Sequence, residues 1–141
     1  MNDWIGRSEQ QREILMPWPA GAWAASTDRD DVPTTGEPLP PLWQWFYGLA
    51  APRRADLAVD GLAQHGGLLP PLPLPRRMFA GARLGFARAL RIGAEVTRRA
   101  WIDDMQSKSG RSGALVFLRL GVEWSDAQGV AISGPCTISP S

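Results

Sequence analysis

An α+β domain, an antiparallel sheet laid against one apolar helix, is what the sequence predicts, on three observations. The chain has 141 residues, enough for one hydrophobic core and too few for two. Eleven of its thirteen prolines fall between Pro17 and Pro75 and none between Arg76 and Gly134, so the chain has two textures, irregular in front and regular behind. From Leu115 to Trp124 the even positions Val116, Leu118, Leu120, Val122 and Trp124 are all apolar, while Arg119 and Glu123 stand at odd positions. That period of two marks a strand with one face in the core.

The elements follow in order. Pro19 to Thr27 reads as a brief alanine-rich helix, stopped before Asp28-Arg29-Asp30-Asp31 and Pro33. The strongest helix pattern runs from Pro41 to Ala51. There Leu42, Trp43, Trp45, Phe46, Leu49 and Ala50 fit the i, i+3, i+4, i+7 face behind a Pro40-Pro41 start. Residues 66–75 are too rich in proline for helix or strand and read as a partly extended arm. Met78, Ala80, Ala82, Leu84, Phe86 and Leu90 then alternate with Arg83 and Arg91, and Arg88 marks a bulge or the strand's end. Val96 to Met105 alternates less cleanly around Trp101 and Ile102. Residues 91–94, 106–113 and 125–129 supply hairpin connections. The second half is thus a meander of three strands, four if Val130-Ala131-Ile132 continues it.

Several function classes drop out. The longest uncharged stretches, such as residues 38–52 and 61–75, run fifteen residues and are broken by prolines, so no span across a bilayer is expected. Asp3, Arg7, Glu9 and Arg12 at the front do not resemble a secretory signal, and a cytoplasmic address is the expectation. With only Cys136 and His65 of their kinds, neither an internal disulfide nor a zinc site is expected. A net charge of +1 argues against bulk nucleic-acid binding. No phosphate-cradling glycine loop, HExxH or nucleophile elbow is present.

Three groups of residues could carry chemistry. Arg76, Arg77, Arg83, Arg88, Arg91, Arg98 and Arg99 face only Glu95 in sequence. They read either as the solvated face of a sheet or as a rim for a phosphate-rich ligand, with Arg76-Arg77 where the proline arm enters the sheet. Trp43, Trp45, Phe46 and Tyr47 read as a core helix or as the wall of an apolar tunnel, and both can hold together. His65 reads as a loop residue or as a general base with Asp60 the nearest carboxylate. Asp103 and Asp104, adjacent on a strand, point to opposite faces and cannot act as a dyad.

Linked motifs in order carry a resemblance. WIGRSE at residues 4–9, AASTDRDD at 24–31, GEPLPPLWQWFY at 36–47, LLPPLPLPRRMFAG at 68–81 and GRSGALVFL at 110–118 resemble the N-terminal half of the MaoC-like, FAS1-type dehydratases. The branch most similar is that of the 3-methylfumaryl-CoA (mesaconyl-C4-CoA) hydratases. The resemblance spans about Trp4 to Gly129. It implies a single hot-dog fold over residues 1–129, a CoA-thioester ligand, reversible addition of water to an enoyl double bond, and no metal or separate cofactor. It also implies a second hot-dog, as domain or subunit, that carries the catalytic aspartate and histidine. On that reading Trp43, Trp45, Phe46 and Phe79 line the acyl tunnel, and Arg76, Arg77 and Arg111 form the rim for the CoA phosphates. No catalytic residue is expected in this chain. The family's histidine, proline and Gly-Asp pair around the central strands are replaced here by Ala87, Ala89 and Gly93-Ala94. Residues 130–141 depart from the family pattern and read as a divergent tail, with a last strand cut short. The alternatives are a stand-alone homodimeric acyl-CoA-binding hot-dog without catalysis, and an inactive truncated remnant.

Overall fold

The period-two pattern of the second half becomes the centre of a six-stranded antiparallel sheet. A computed structural model describes residues 2–59, 61–63, 67–72, 74, 76–111 and 113–140. Its elements are β1 (Ser8–Ile14), α1 (Pro17–Ser26), β2 (Arg77–Ala82), β3 (Gly85–Phe86), β4 (Glu95–Gly110), β5 (Gly113–Asp126) and β6 (Gly129–Pro140), with short 3-10 turns at Asn2–Trp4, Trp43–Phe46 and Arg54–Asp56. The strand order is β1-β4-β5-β6-β2, and β3 also pairs with β6. Among the described residues no helix is long and apolar enough to cross a membrane.

The blurred alternation in β4 has a mechanical cause. Val96, Ala100 and Ile102 are buried at even positions and Met105 at an odd one, because the register with β5 slips between Ile102 and Asp104. One extra residue in a strand moves every later side chain to the opposite face. The connection expected over residues 106–113 is mostly strand, since Gly110 still pairs with Gly113. The run from Met78 to Leu90 is two short strands with a break at Arg83-Leu84.

Of the residues set apart above as a tail, 130–140 lie in β6. β6 lies between β5 and β2, with Leu118 opposite Ile138, Trp124 opposite Ile132 and Phe79 opposite Ile138. Ala131 and Ile132 sit in the core, which is the reason the segment is held. β1 is the strand that sequence did not show. Its SEQQREI pattern is mostly exposed, as suits a polar edge strand that discourages further pairing.

The helix also differs from expectation. α1 corresponds to the alanine-rich segment and buries Ala20 and Ala24, four residues apart, on one face. The stronger pattern at Pro41 to Ala51 yields only the 3-10 turn Trp43–Phe46. Leu42 is left-handed at φ 74° and Gly48 at φ 70°, and two such residues bracket the turn and forbid an α-helix through it. Residues 36–39 instead lie along 90–92. Leu39 N–H donates to Leu90 O (2.7 Å) and Ile92 N–H to Glu37 O (3.0 Å). Leu15, Leu39, Trp43, Ile102, Leu118, Leu120 and Ile132 join in one core between this strap, α1 and the sheet.

Candidate functional site

The residues read as a tunnel wall divide into two groups. Trp43 is 6% exposed. It meets Phe46 edge-on at 6.1 Å between centroids, Phe46 stacks at a tilt on Trp23 of α1 at 4.8 Å, and the Arg29 guanidinium lies 5.0 Å over the Trp43 ring. These rings fasten strap to helix. Trp45 points the other way, 43% exposed, and meets Phe79 of β2 edge-on at 6.3 Å, with Phe79 62% exposed. Trp45 and Phe79 are therefore the pair that remains accessible as an apolar surface.

The arginines divide as well. Arg98 faces Glu9 at 3.8 Å and Arg99 faces Glu123 at 3.8 Å. Arg91 donates to Gly36 O at 2.9 Å. These three bind the strands and the strap. Arg77 donates to Ala63 O at 3.0 Å, and Arg76 beside it is exposed. Arg111 is exposed at the tip of the β4–β5 hairpin. Arg77 opposite Pro140, together with Gly113 opposite Gly110, puts Arg76, Arg77 and Arg111 at one end of the sheet. Asp103 pairs with Arg119 at 2.8 Å, while Asp104 accepts from Met105 N–H at 2.9 Å and from Gln106 at 3.0 Å. The two carboxylates thus serve separate local roles. His65 and Asp60 lie outside the described residues. Among the described residues no three metal-ligating side chains cluster.

A cavity of about 150 Å³ lies beside Pro40 and Pro41, lined among the described residues by Leu39, Leu90, Phe86 and Ile132 and by the polar residues Gln44 and Arg88. Sequence reasoning passed over Gln44. It lies inside the run Leu42, Trp43, Trp45, Phe46, where a lone polar residue on a buried face is the available signal. Gln44 is 1% exposed, and neither its Nε2 nor its Oε1 has a hydrogen-bond partner among the described residues. Arg88, in contrast, is partnered through three of its five N–H donors. Its guanidinium donates to both oxygens of Asp126 (2.5 and 2.6 Å) and to Gly129 O (2.5 Å).

That pair has a pH signature. The hydrogen bonds from Arg88, ahead of the opposing effect of burial, hold the Asp126 carboxyl below its ordinary range. A depressed folded-state pKa adds stability that is present above the unfolded value, about 3.9, and is lost as pH falls through the folded value. Asp126→Asn should therefore melt below the wild type at pH 7, with the gap closing as the medium is acidified past pH 4. A gap that is constant across this range in thermal melts followed by circular dichroism contradicts the assignment.

Comparison with known proteins completes the description. The family of FAS1-like dehydratase domain regions matches residues 44–134. The mesaconyl-C(4)-CoA hydratase of Chloroflexus aurantiacus is 46% identical over 121 residues, covering 85% of this chain and 43% of the relative. The chain thus spans less than half the length of that enzyme. Among solved structures, the (R)-hydratase from A. caviae involved in PHA biosynthesis aligns with a TM-score of 0.59 at 16% identity, over 95% of this chain and 94% of that one. The ChsH1-ChsH2 complex from Mycobacterium tuberculosis aligns at 0.66 with 12% identity, over 96% and 84%. At these identities the structures speak for the fold alone, and the fold is the hot-dog: an antiparallel sheet with one helix against it.

Proposed function

This chain belongs to the family of FAS1-like dehydratase regions, and from that premise we propose that it supplies the substrate-shaping half of an acyl-CoA hydratase. One observation carries the reading: 46% identity to a mesaconyl-C(4)-CoA hydratase, confined to 43% of that enzyme. A second hot-dog, on another chain or domain, completes the enzyme. The ligand is a CoA thioester with a short acyl group. CoA is part of the substrate, and no separate cofactor enters.

Roles within this half follow from that reading. Arg76, Arg77 and Arg111, gathered at one end of the sheet, provide guanidinium donors for the CoA phosphates. Trp45 and Phe79 form the accessible apolar wall, and Trp43 and Phe46 support it from the core. The wall excludes water from the acyl group, which strengthens any dipole aimed at the thioester carbonyl. The proton transfers of hydration need a positioned acid and base. Those groups come from the second hot-dog, which docks at the β2 edge, where Met78 and Phe79 are exposed.

The test is an activity assay with mesaconyl-C4-CoA, followed by loss of the enoyl-thioester absorbance. The purified chain alone should turn over no substrate above buffer. Added to a second hot-dog bearing the hydratase signature, it should restore turnover and co-elute as a heteromer. Hydration by the pure, partner-free chain, or a stable homodimer indifferent to the second hot-dog, would sink the reading.

A further inference from the structure

We infer that Arg88 is a specificity-determining residue: it receives a carboxylate at the far end of the ligand's acyl chain, in the cavity beside Pro40 and Pro41. The inference rests on the acyl-CoA reading above and deepens it, from a short acyl group to one that ends in an anion.

The make-up of the cavity points to such a ligand. Leu39, Phe86, Leu90 and Ile132 make its lining apolar, and among the described residues Arg88 is the only charged member. Gln44 borders the space too, but both of its amide atoms are buried, so the amide is no part of the accessible wall. An apolar space with one cation on its wall matches a short hydrocarbon chain that ends in an anion, since each part of that chain meets its own kind.

Arg88 is held from behind. Asp126 and Gly129 accept three of its hydrogen bonds, and neither residue lines the cavity. The Arg88 side chain is 28% exposed against 14% for Asp126, so the guanidinium stands between its counter-ion and the open space. Its Nε–H and the second N–H of Nη1 have no acceptor among the described residues. With Nη1 and Nη2 both committed to Asp126, these two donors leave different edges of the planar group. An incoming carboxylate therefore takes one charge-assisted bond rather than a fork. Asp126 remains a second anion on the same cation, and it weakens the attraction without removing it.

Size and continuity agree. About 150 Å³ is roughly five times the share of volume taken by a water molecule, which is room for a short chain and its carboxylate and little else. The turn Trp43–Phe46 supplies Gln44 to the cavity and Trp45 to the accessible wall against Phe79. One stretch of backbone thus borders both the wall and the cavity at the end of the acyl path.

Titration calorimetry with the full chain at pH 7 compares two thioesters of equal carbon number: succinyl-CoA, which ends in a carboxylate, and butyryl-CoA, which ends in a methyl group. The wild type should prefer succinyl-CoA roughly tenfold, the worth of one hydrogen bond to a charged group. Arg88→Met should erase that preference while leaving butyryl-CoA affinity within about twofold. That change also orphans Asp126, so Asp126→Asn is the second arm. It keeps the guanidinium and removes the competing carboxylate, and it should raise the succinyl-CoA preference severalfold further, a gain that a loosened fold cannot imitate. A preference that persists in Arg88→Met, that fails to rise in Asp126→Asn, or that is absent from a wild type binding both thioesters overturns the inference and leaves the acyl-CoA reading standing. A wild type that binds neither thioester overturns both.

Discussion

Gly134→Ala lowers the unfolding free energy by on the order of 3 kcal/mol, the upper end of ordinary overpacking. Gly134 lies on β6 where the link between β2 and β3 crosses it. A methyl group placed there would overlap Arg83 O, with Arg83 C at 2.9 Å and Leu84 Cα at 3.0 Å behind it. All three are backbone atoms, so no rotamer change relieves the contact. The link is itself held by Arg83 N–H donating to Pro135 O at 3.0 Å, and pushing it away breaks that bond and strains the pairing of β3 with β6. Phe86 is paired with Ile132 in that ladder, and Ile132 is in the core, so the disturbance reaches the buried face of β6. Gly85→Ala is the matched control, because its nearest neighbour would be Ser133 O at an ordinary 3.8 Å. It should fall within about 0.5 kcal/mol of wild type. Urea unfolding of the three proteins measures both, and coincident midpoints for Gly134→Ala and wild type would show that the crossing is looser than described.

The β half of the fold was legible because burial there is one-sided. Val116, Leu118, Leu120, Val122 and Trp124 line the inner face of β5, and a half-buried strand writes its period directly into the sequence. β4 was harder to read, because the slip between Ile102 and Asp104 changes the parity of the pattern midway. β1 was not legible at all. Its pairing rests on backbone bonds to β4 from Ser8 to Ile14, which leave no apolar trace. The strap around Trp43 was misread for a different reason. Spacing alone fits a helix there, but Leu42 and Gly48 take left-handed conformations that spacing does not encode. The same error concealed the cavity, since a continuous helix would have made Gln44 one more position on its surface. In the arginine-rich stretch, the sequence showed where the charges stand but not their partners. Arg88, Arg91, Arg98 and Arg99 are engaged within the fold, while Arg76 and Arg111 are exposed at one sheet end.

Trp43→Ala should cost about 3–5 kcal/mol, the range for deleting a buried aromatic side chain. If Trp43 merely lined a tunnel, its removal would enlarge the tunnel and alter ligand affinity while the unfolding midpoint stayed put. Its placement argues otherwise. The indole is in the core cluster with Leu39 and Leu118, contacts Phe46, and is covered by Arg29, so alanine leaves a void beneath the strap and uncouples it from α1. Trp43→Phe keeps an apolar plug and should lose much less than alanine does. Trp45→Ala is the informative contrast, because Trp45 is largely at the surface against Phe79. It should shift stability by about 1 kcal/mol or less, the worth of one partly exposed aromatic pair. Yet it should weaken acyl-CoA binding severalfold if the accessible wall belongs to the ligand site. The two neighbouring tryptophans thus predict opposite pairs of effects: a large stability loss at residue 43, and an affinity loss with near-normal stability at residue 45. Equal stability losses at both would mean that the strap packs as one block. The apolar wall would then have to be sought elsewhere on the sheet.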